Sequence, residues 1–242
     1  TTNDTITWKP IFEHQGSYSI GTIAMDPNNP QILWVGTGEN NSQRSVAYGD
    51  GIYKTTDGGK TFSFVSWVVP WDDPCRAAYP APVRVSSSTI VTAVRRKSPW
   101  NNWIDCYRSE DNGSSWSFLS KVDNTEAEAG PRHNGNPPSL LVLADGRLCC
   151  AYGDRSNGNE CIALRYSEDQ GKNWSVRYVI RDDFQSINGM ADLGYVRLFQ
   201  RPDRKCVAVY FWCILVIFWY KNDQKSKNLY FSQISKIGLF DE

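Results

Sequence analysis

The chain has 242 residues, of which 26 are basic and 26 acidic, so it carries no net charge. With no basic run or stripe there is nothing to grip a phosphate backbone, and nucleic acid is excluded as the expected partner. Hydrophobic residues at 40% suffice for a core, and 10 Trp and 12 Tyr suit half-buried strands. One all-β domain over residues 1–242 is the expectation.

Taken in chain order, the first recurring unit runs from about Ser17 to Ser66. Within it a strand at Gly51–Lys54 enters the turn Thr55-Thr56-Asp57-Gly58-Gly59-Lys60-Thr61-Phe62, and a strand at Ser63–Ser66 leaves it. The second unit, 79–122, repeats this with strand Ile104–Arg108, turn Ser109-Glu110-Asp111-Asn112-Gly113-Ser114-Ser115-Trp116 and strand Ser117–Lys121. The third, 136–180, has Ile162–Tyr166, Ser167-Glu168-Asp169-Gln170-Gly171-Lys172-Asn173-Trp174 and Ser175–Ile180. Asp57, Asp111 and Asp169 stand 54 and 58 residues apart, a period that signals a repeat architecture. The physical roles are separable. The hydroxyl and Asp side chains bond nearby N–H groups to hold a tight turn, Gly59, Gly113 and Gly171 supply positive φ, and Trp116 or Trp174 is an apolar peg.

A second repeat runs in phase with the first. Pro80, Pro138 and Val196 are each 58 residues apart and open strand pairs at Pro80–Arg96, Pro138–Arg155 and Val196–Trp212. Their turns are Ser86–Ser88, Ala144–Gly146 and Pro202–Arg204. Four strands per unit make a propeller blade, so the expected fold is a β-propeller of about four four-stranded antiparallel blades. The fourth blade, 194–236, lacks the motif turn; Asn228–Lys236 is its expected third strand, and Thr5–Ile11 could close the ring. Residues 213–242 form an atypical end. Val207–Tyr220 is a 14-residue apolar run, shorter than the roughly 20 residues of a membrane span, and reads as two strands or one long one.

Cys75, Cys106, Cys149, Cys150, Cys161, Cys206 and Cys213 include no C-x-x-C pair, and His14 and His133 are the two histidines. No zinc site is expected, nor a complete disulfide framework from an odd count. Buried thiols are the expectation, with Cys149 and Cys150 on opposite faces of one strand. The chain opens at Thr1 without a signal peptide in view, and an upstream segment is an open possibility. Phosphate-cradling glycine patterns and a G-x-S-x-G elbow are lacking, so no cofactor is expected and serine hydrolysis has no support.

If the motif turns join third to fourth strands, the remaining loops gather at the other end: Glu39–Asp50, Ser66–Ala78, Lys97–Trp103, Asp123–Asn136, Asp154–Glu160 and Arg181–Tyr195. They carry Trp67, Trp71, Asp72, Asp73, Arg76, Trp100, Trp103, Glu126, Arg132, His133, Asp154, Arg155, Asp182, Asp183 and Asp192. Loops on a rigid scaffold are where function is usually placed. Rings stack on sugars, arginines bond oxygens bidentately, and paired carboxylates serve as acid and base. The candidate catalytic set is Asp72, Asp73 and Asp182. The candidate substrate-binding set is Arg76, Arg155, Arg197, Trp71, Trp103, Glu39, Arg44 and His133. The rival reading of every one of them is a solvated loop residue. Glu39–Arg44 is read as a pocket edge, its neighbours Gly36, Gly38 and Gly49 letting the backbone turn closely.

The motif S/T-x-D-x-G-x-x-W/F resembles the Asp-box, or bacterial neuraminidase repeat, of the sialidase-like propellers, over roughly residues 12–212. Residues 8–62, with His14–Tyr18, Asp26–Pro30 and Gly36–Asn41, look like Asp-box glycosyl-hydrolase and sortilin-type repeats. Residues 67–212, with Asn134–Leu140 and Asp192–Tyr195, look more like bacterial exo-sialidases. The resemblance implies a glycan substrate or ligand, a secreted or periplasmic setting, and a parent of six or more blades. It also implies an Arg-Ile-Pro strand whose arginine clamps a substrate carboxylate. Here Ala78 and Asn136 hold that position and Arg76 lies nearby; a Tyr nucleophile with a Glu partner is not assignable. The functional alternatives are a sialidase-like hydrolase, a non-catalytic propeller binding glycan or protein, and an inactive fragment.

Overall fold

The computed structural model describes residues 7–17, 19–26, 28–38, 49–126, 135–184, 193–212 and the strand 234–240. Among these residues every regular element is a strand. The first sheet comprises β1 (Ile20–Asp26), β2 (Asn29–Thr37), β3 (Ile52–Thr55) and β4 (Ser63–Ser66). The second holds β5 (Arg76–Arg84), β6 (Ile90–Lys97), β7 (Asn102–Ser109) and β8 (Ser117–Glu126). The third holds β9 (Ser139–Val142), β10 (Leu148–Asp154), β11 (Cys161–Ser167) and β12 (Tyr178–Arg181), and the fourth β13 (Leu193–Gln200), β14 (Cys206–Trp212) and β15 (Ile234–Phe240). Each sheet is a meander in sequence order, with antiparallel registers such as Gly36↔Ile52, Cys150↔Arg165 and Val209↔Ile237.

The all-β, blade-by-blade expectation holds, with two corrections at the ends. The third strand of the fourth sheet is Ile234–Phe240, overlapping the expected Asn228–Lys236 at 234–236 and running beyond it, while 228–233 lie outside the described residues; that sheet has three strands among the described residues. Residues 7–11 form no strand, and Thr5 and Ile6 lie outside the described residues. A smaller shift has a visible cause. β12 starts at Tyr178 instead of Ser175 because the Tyr166 N–H donates to Ser175 Oγ (3.0 Å), so a side chain replaces the ladder bond. Of the apolar run, the part up to Trp212 is strand and the rest lies outside the described residues.

The chain divides into two compact units. The first takes Thr1–Asp73 with Ser87–Ile90 and Arg108–Ser117; the second takes Pro74–Ser86, Val91–Tyr107 and Phe118–Glu242. The first has a small aromatic core, with Phe12 edge-on to Tyr53 (5.2 Å) and to Phe62 (4.9 Å). The second has two apolar clusters on either side of β10. Cys150 and Tyr152 join Val91, Ile104, Cys106, Leu148 and Cys161 in one, while Cys149 and Ala151 join Ile162, Leu164, Leu193, Val196 and Trp212 in the other. Adjacent cysteines thus serve opposite faces, as strand alternation requires. Cys75, Cys106, Cys149, Cys150, Cys161 and Cys206 form no disulfide with one another, and burial pushes the Cys149 thiol up to about 12.

All three motif turns join third to fourth strands and share one bonding scheme. The hydroxyls of Thr55, Ser109 and Ser167 donate to Oδ1 of Asp57, Asp111 and Asp169, and accept from the N–H groups of Gly59, Gly113 and Gly171 at 3.0, 2.7 and 2.7 Å. The residue before the aromatic completes the scheme. Thr61, Ser115 and Asn173 each donate a backbone N–H to Oδ1 and a side-chain hydrogen to Oδ2 of the aspartate.

The glycine carbonyl beyond this turn is used as well. Ser66 Oγ donates to Gly113 O within the first unit, and Ser120 Oγ to Gly171 O within the second, both at 2.5 Å. Trp174 Nε1 donates to the same Ser120 Oγ at 3.0 Å, and its ring packs on the first cluster of the second unit. A buried charge network adds to this joint. Asp123 on β8 accepts from the Tyr152 hydroxyl, from Arg165 Nε (2.8 Å) and from Arg177 Nε (2.9 Å), while Arg177 Nη1 reaches Asp154 Oδ2 at 2.6 Å. Burial alone would raise the Asp123 carboxyl, but these donors hold it below its ordinary value.

Two stability outcomes follow from the turns. Trp174→Ala should lower urea-unfolding stability by about 3 kcal/mol and Ser120→Ala by about 1 kcal/mol. Acid should act through the aspartates: Asp111, held down to about 2 first by the Ser115 hydroxyl bond and then by the Ser115 N–H and Ser109, stabilises the fold above its ordinary 3.8. That contribution is lost as pH falls through about 2. Melting temperatures measured across this window should fall for the parent chain, and Asp111→Asn should fall less steeply from a lower starting point.

Candidate functional site

In the first three meanders the loops from second to third strand, and from the fourth strand onward, leave the end opposite the motif turn. At that end of the second unit stand Arg76 (first residue of β5), Lys97 (last of β6), Asn102 (first of β7), Glu126 (last of β8), Asp154 (last of β10) and Leu193 (first of β13). The cations among them, Arg76 and Lys97, are electrostatic neighbours of Arg95. Its side chain, 9% exposed, makes no hydrogen bond and no ion pair with a described residue. Burial holds its guanidinium below the ordinary value; Arg76 and Arg155 push the same way, and Tyr79 and Tyr195 oppose them. Lys97 is depressed by burial, then by Arg76 and Arg95, with Glu126 opposing. Four cations therefore share one neighbourhood.

The carboxylates nearby are already engaged. Glu126 Oε2 accepts from Asn102 Nδ2 and from Gly135 N–H, both at 3.0 Å. Asp154 Oδ1 accepts from Ser156 N–H (2.8 Å) and Oγ (2.6 Å), and its other oxygen is taken by Arg177. Arg95 has the ring of Tyr79 at 4.3 Å, and the ring of Tyr195 lies 5.9 Å from Arg155. A guanidinium over an aromatic face gains roughly 0.5–2 kcal/mol, less than the several kcal/mol it costs to desolvate an ion. Arg95 thus keeps a buried charge with no carboxylate partner among the described residues.

Both tyrosines have left-handed backbones, φ 55° at Tyr79 and 52° at Tyr195. The other non-glycine residues of positive φ, Asn112, Gln170 and Arg204, lie in tight turns between strands, whereas these two lie inside β5 and β13. Such a conformation costs on the order of 1–3 kcal/mol per residue and persists only where neighbours impose it. At Tyr195 the neighbours are visible. Arg155 Nε and Nη2 donate to Leu193 O at 3.0 and 2.8 Å, and Tyr195 N–H donates to Asn136 Oδ1 at 3.4 Å. A Cβ on Gly194 (φ 118°) would stand 1.8 Å from that Asn136 oxygen, so only glycine fits between. The β13–β14 register slips between Gly194 and Arg197.

Of the sequence candidates, Arg76 and Arg155 are both electrostatic neighbours of Arg95. Arg197 is exposed on β13, its Nη1 donating to the carbonyl of Val196 (3.3 Å). Asp182 is exposed beyond β12, where Arg181 pairs with Asp183 at 2.6 Å. Trp103 is half-buried, with Arg96 and Lys121 over its ring at 5.8 and 5.9 Å. Trp71 and Asp72, both exposed, and the half-buried Asp73 belong to the first unit. Glu39, Arg44 and His133 lie outside the described residues, as do Arg132 and Asp192. Sequence reasoning missed Arg95, Lys97, Tyr79 and Tyr195. A signal was present: Tyr79 and Tyr195 each precede a repeat-marking residue, Pro80 and Val196, and Arg95-Arg96-Lys97 closes an apolar strand with three cations. Among the described residues no group of three or more His, Cys, Asp or Glu could hold a metal ion, and no helix is long and apolar enough to cross a membrane.

No family model matches the chain, and no curated protein does. Solved structures do. The GH93 α-L-arabinofuranosidase of Fusarium graminearum, in complex with arabinobiose, matches with a TM-score of 0.53 at 20% identity, over 78% of this chain and 55% of that one. The α-L-arabinanase of Penicillium chrysogenum, also complexed with arabinobiose, matches at 0.52 and 22% identity, over 80% and 57%. The NanB sialidase of Streptococcus pneumoniae matches at 0.54 and 16% identity, over 92% of this chain and 31% of that one. The chain thus spans little more than half the length of the fungal enzymes and under a third of the streptococcal one. All three are glycosidases of the sialidase-like superfamily, built as β-propellers, and the four meanders described above match their blades. The fold of this chain is that of the sialidase-like β-propellers.

Proposed function

We propose that this chain binds an acidic glycan, with the cluster Arg76, Arg95, Lys97 and Arg155 taking the anionic group of the sugar. The observation that carries this reading is Arg95: a buried guanidinium whose strongest electrostatic neighbours are two arginines and two tyrosines. A buried charge left without a counter-ion is costly, and an incoming carboxylate or sulfate would supply the missing partner. The half-buried Tyr195 gives a sugar ring an aromatic surface beside that charge. Two of the similar structures hold arabinobiose and the third is a sialidase, which supports a sugar as the ligand. The three motif turns are read as Asp-boxes: Asp57, Gly59, Asp111, Gly113, Trp116, Asp169, Gly171 and Trp174 serve the scaffold, remote from the ligand. A glycan-directed role fits a secreted or periplasmic setting.

Hydrolysis is the second reading, favoured by the likeness to glycosidases. It requires a carboxylate pair, and the nearest candidates, Glu126 and Asp154, are committed to Asn102, Gly135, Ser156 and Arg177. Asp72, Asp73 and Asp182 remain the proposed acids for that reaction. Fold alone does not choose between an enzyme and a binding platform, because propellers host both.

Calorimetric titration separates these readings. N-Acetylneuraminate or D-glucuronate should bind more tightly than neutral L-arabinose, and high salt should weaken the acidic sugars alone. Arg95→Ala should lower the acidic-sugar affinity by roughly 10–100-fold, the worth of a hydrogen bond between charged groups. Equal binding of acidic and neutral sugars would remove the anion-clamp reading. Fluorescent release from a panel of aryl glycosides, sialoside included, tests turnover; sialoside release is expected to be weak or absent. Robust release abolished by Asp72→Asn, Asp73→Asn or Asp182→Asn would establish the hydrolase instead.

A further inference from the structure

Two polar side chains at the loop end of the second sheet are wholly buried and only partly used. Asn102 opens β7 and Thr125 lies next to last on β8; both are 0% exposed. Asn102 Oδ1 and Thr125 Oγ1 are buried atoms with no hydrogen-bond partner among the described residues. Buried polar groups in native proteins are paired in the great majority, with protein or with ordered water. Turning the Asn102 amide over does not relieve it. Its Nδ2 donates to Glu126 Oε2 at 3.0 Å, and the reversed amide would set an oxygen against that carboxylate.

Gly135 brings the two together. Its N–H donates to the same Glu126 oxygen at 3.0 Å. A Cβ placed on it (φ 59°) would lie 2.6 Å from Asn102 Cβ, 3.1 Å from Asn102 Cγ and 2.7 Å from Thr125 Oγ1, so both side chains press on one glycine. The carboxamide and the hydroxyl are then close enough for one oxygen atom to bond both at roughly 2.8 Å. The chemistry of the two groups selects that atom. An anion would meet the Asn102 oxygen and the Glu126 carboxylate. A hard cation would find two neutral oxygens, where it takes six or more ligands. A small neutral molecule that both donates and accepts fits. We propose that a resident water molecule is bound beside Gly135, donating to Asn102 Oδ1 and bonded to Thr125 Oγ1. It joins the start of β7 to the end of β8, and Thr125 O accepts from the Arg155 N–H at 2.8 Å, so the end of β10 is tied to the same point. The water is part of the scaffold at the candidate site and does not depend on which ligand that site takes.

The test looks for the water in the full chain and then removes one of its partners. A high-resolution crystal structure of the parent should show one ordered oxygen within about 3 Å of both Asn102 Oδ1 and Thr125 Oγ1. Thr125→Val puts a methyl of similar shape where the hydroxyl stood and should lose that oxygen, whereas Thr125→Ser keeps the hydroxyl and should retain it. In solution, oxygen-17 relaxation dispersion counts long-lived internal waters; the count should drop by one in Thr125→Val and stay unchanged in Thr125→Ser. If Thr125→Val does not fold, the parent and Thr125→Ser crystals decide the matter. A parent crystal with no oxygen at that position, a direct hydrogen bond between Asn102 and Thr125, or an unchanged water count in folded Thr125→Val would overturn the proposal. So would a sugar oxygen standing there in crystals soaked with D-glucuronate, since the site would then belong to the ligand.

Discussion

The hydrogen bond from the motif glycine N–H back to the hydroxyl four residues earlier is the constraint on which the rest of the scaffold depends. It closes the turn between third and fourth strands and, in doing so, fixes where the carbonyl of the same glycine points. At Gly113 and Gly171 that carbonyl is the acceptor for Ser66 and Ser120. One residue thus sets both the hairpin and its attachment to another sheet. Gly171 is doubly required: its φ is 94°, and a Cβ there would come within 3.1 Å of Cys106 Sγ and 3.2 Å of Leu119 Cδ2. Any side chain would strain the turn and force the neighbouring sheet away.

Charge is sorted by the same architecture. Arg165, Arg177 and Arg96 have carboxylate partners, Arg96 meeting Asp105 at 3.5 Å and the Tyr107 hydroxyl. Such buried pairs roughly break even against an apolar substitute, but they punish the loss of either partner, so they specify how sheets meet more than they stabilise. Arg95 has an aromatic partner instead. Adjacent Arg95 and Arg96 thus differ in partner, a tyrosine ring for one and Asp105 with the Tyr107 hydroxyl for the other.

This contrast also marks what the sequence could and could not reveal. Strand pairs, motif turns and the two-faced Cys149–Cys150 step were legible because each is a local pattern with a fixed period. Arg76 and Arg155 were legible because they sit where strands meet loops. Arg95 was hidden beside Arg96: alternation says that neighbours face opposite ways, but not which face carries a site. The tyrosines were hidden for a different reason. Positive φ is uncommon outside glycine and asparagine, so nothing in Tyr79 or Tyr195 announces it. At Tyr195 it arises from tertiary grip, by Asn136 and Arg155 on one side and the slipped β13–β14 register on the other.

The fourth sheet shows what replaces the missing turn. Ser66 and Ser120 stand nine residues after Asp57 and Asp111, and the ninth residue after Asp169 is Tyr178, half exposed. Donor and acceptor are thus lost together at the junction of third and fourth sheets. That junction is held by first strands instead. Leu198 N–H donates to Ser139 Oγ (3.0 Å), Ala144 N–H to Gln200 Oε1 (2.8 Å), Tyr195 N–H to Asn136 Oδ1, and Arg155 to Leu193 O. Two of these four bonds belong to the cationic cluster. Where the motif latch is present, scaffold and site use different residues; where it is absent, they share Arg155 and Asn136. An anion bound at this junction would act on the same bonds that join the two sheets, and coupling between ligand affinity and stability is expected at this edge of the cluster, away from Tyr79 and Arg76.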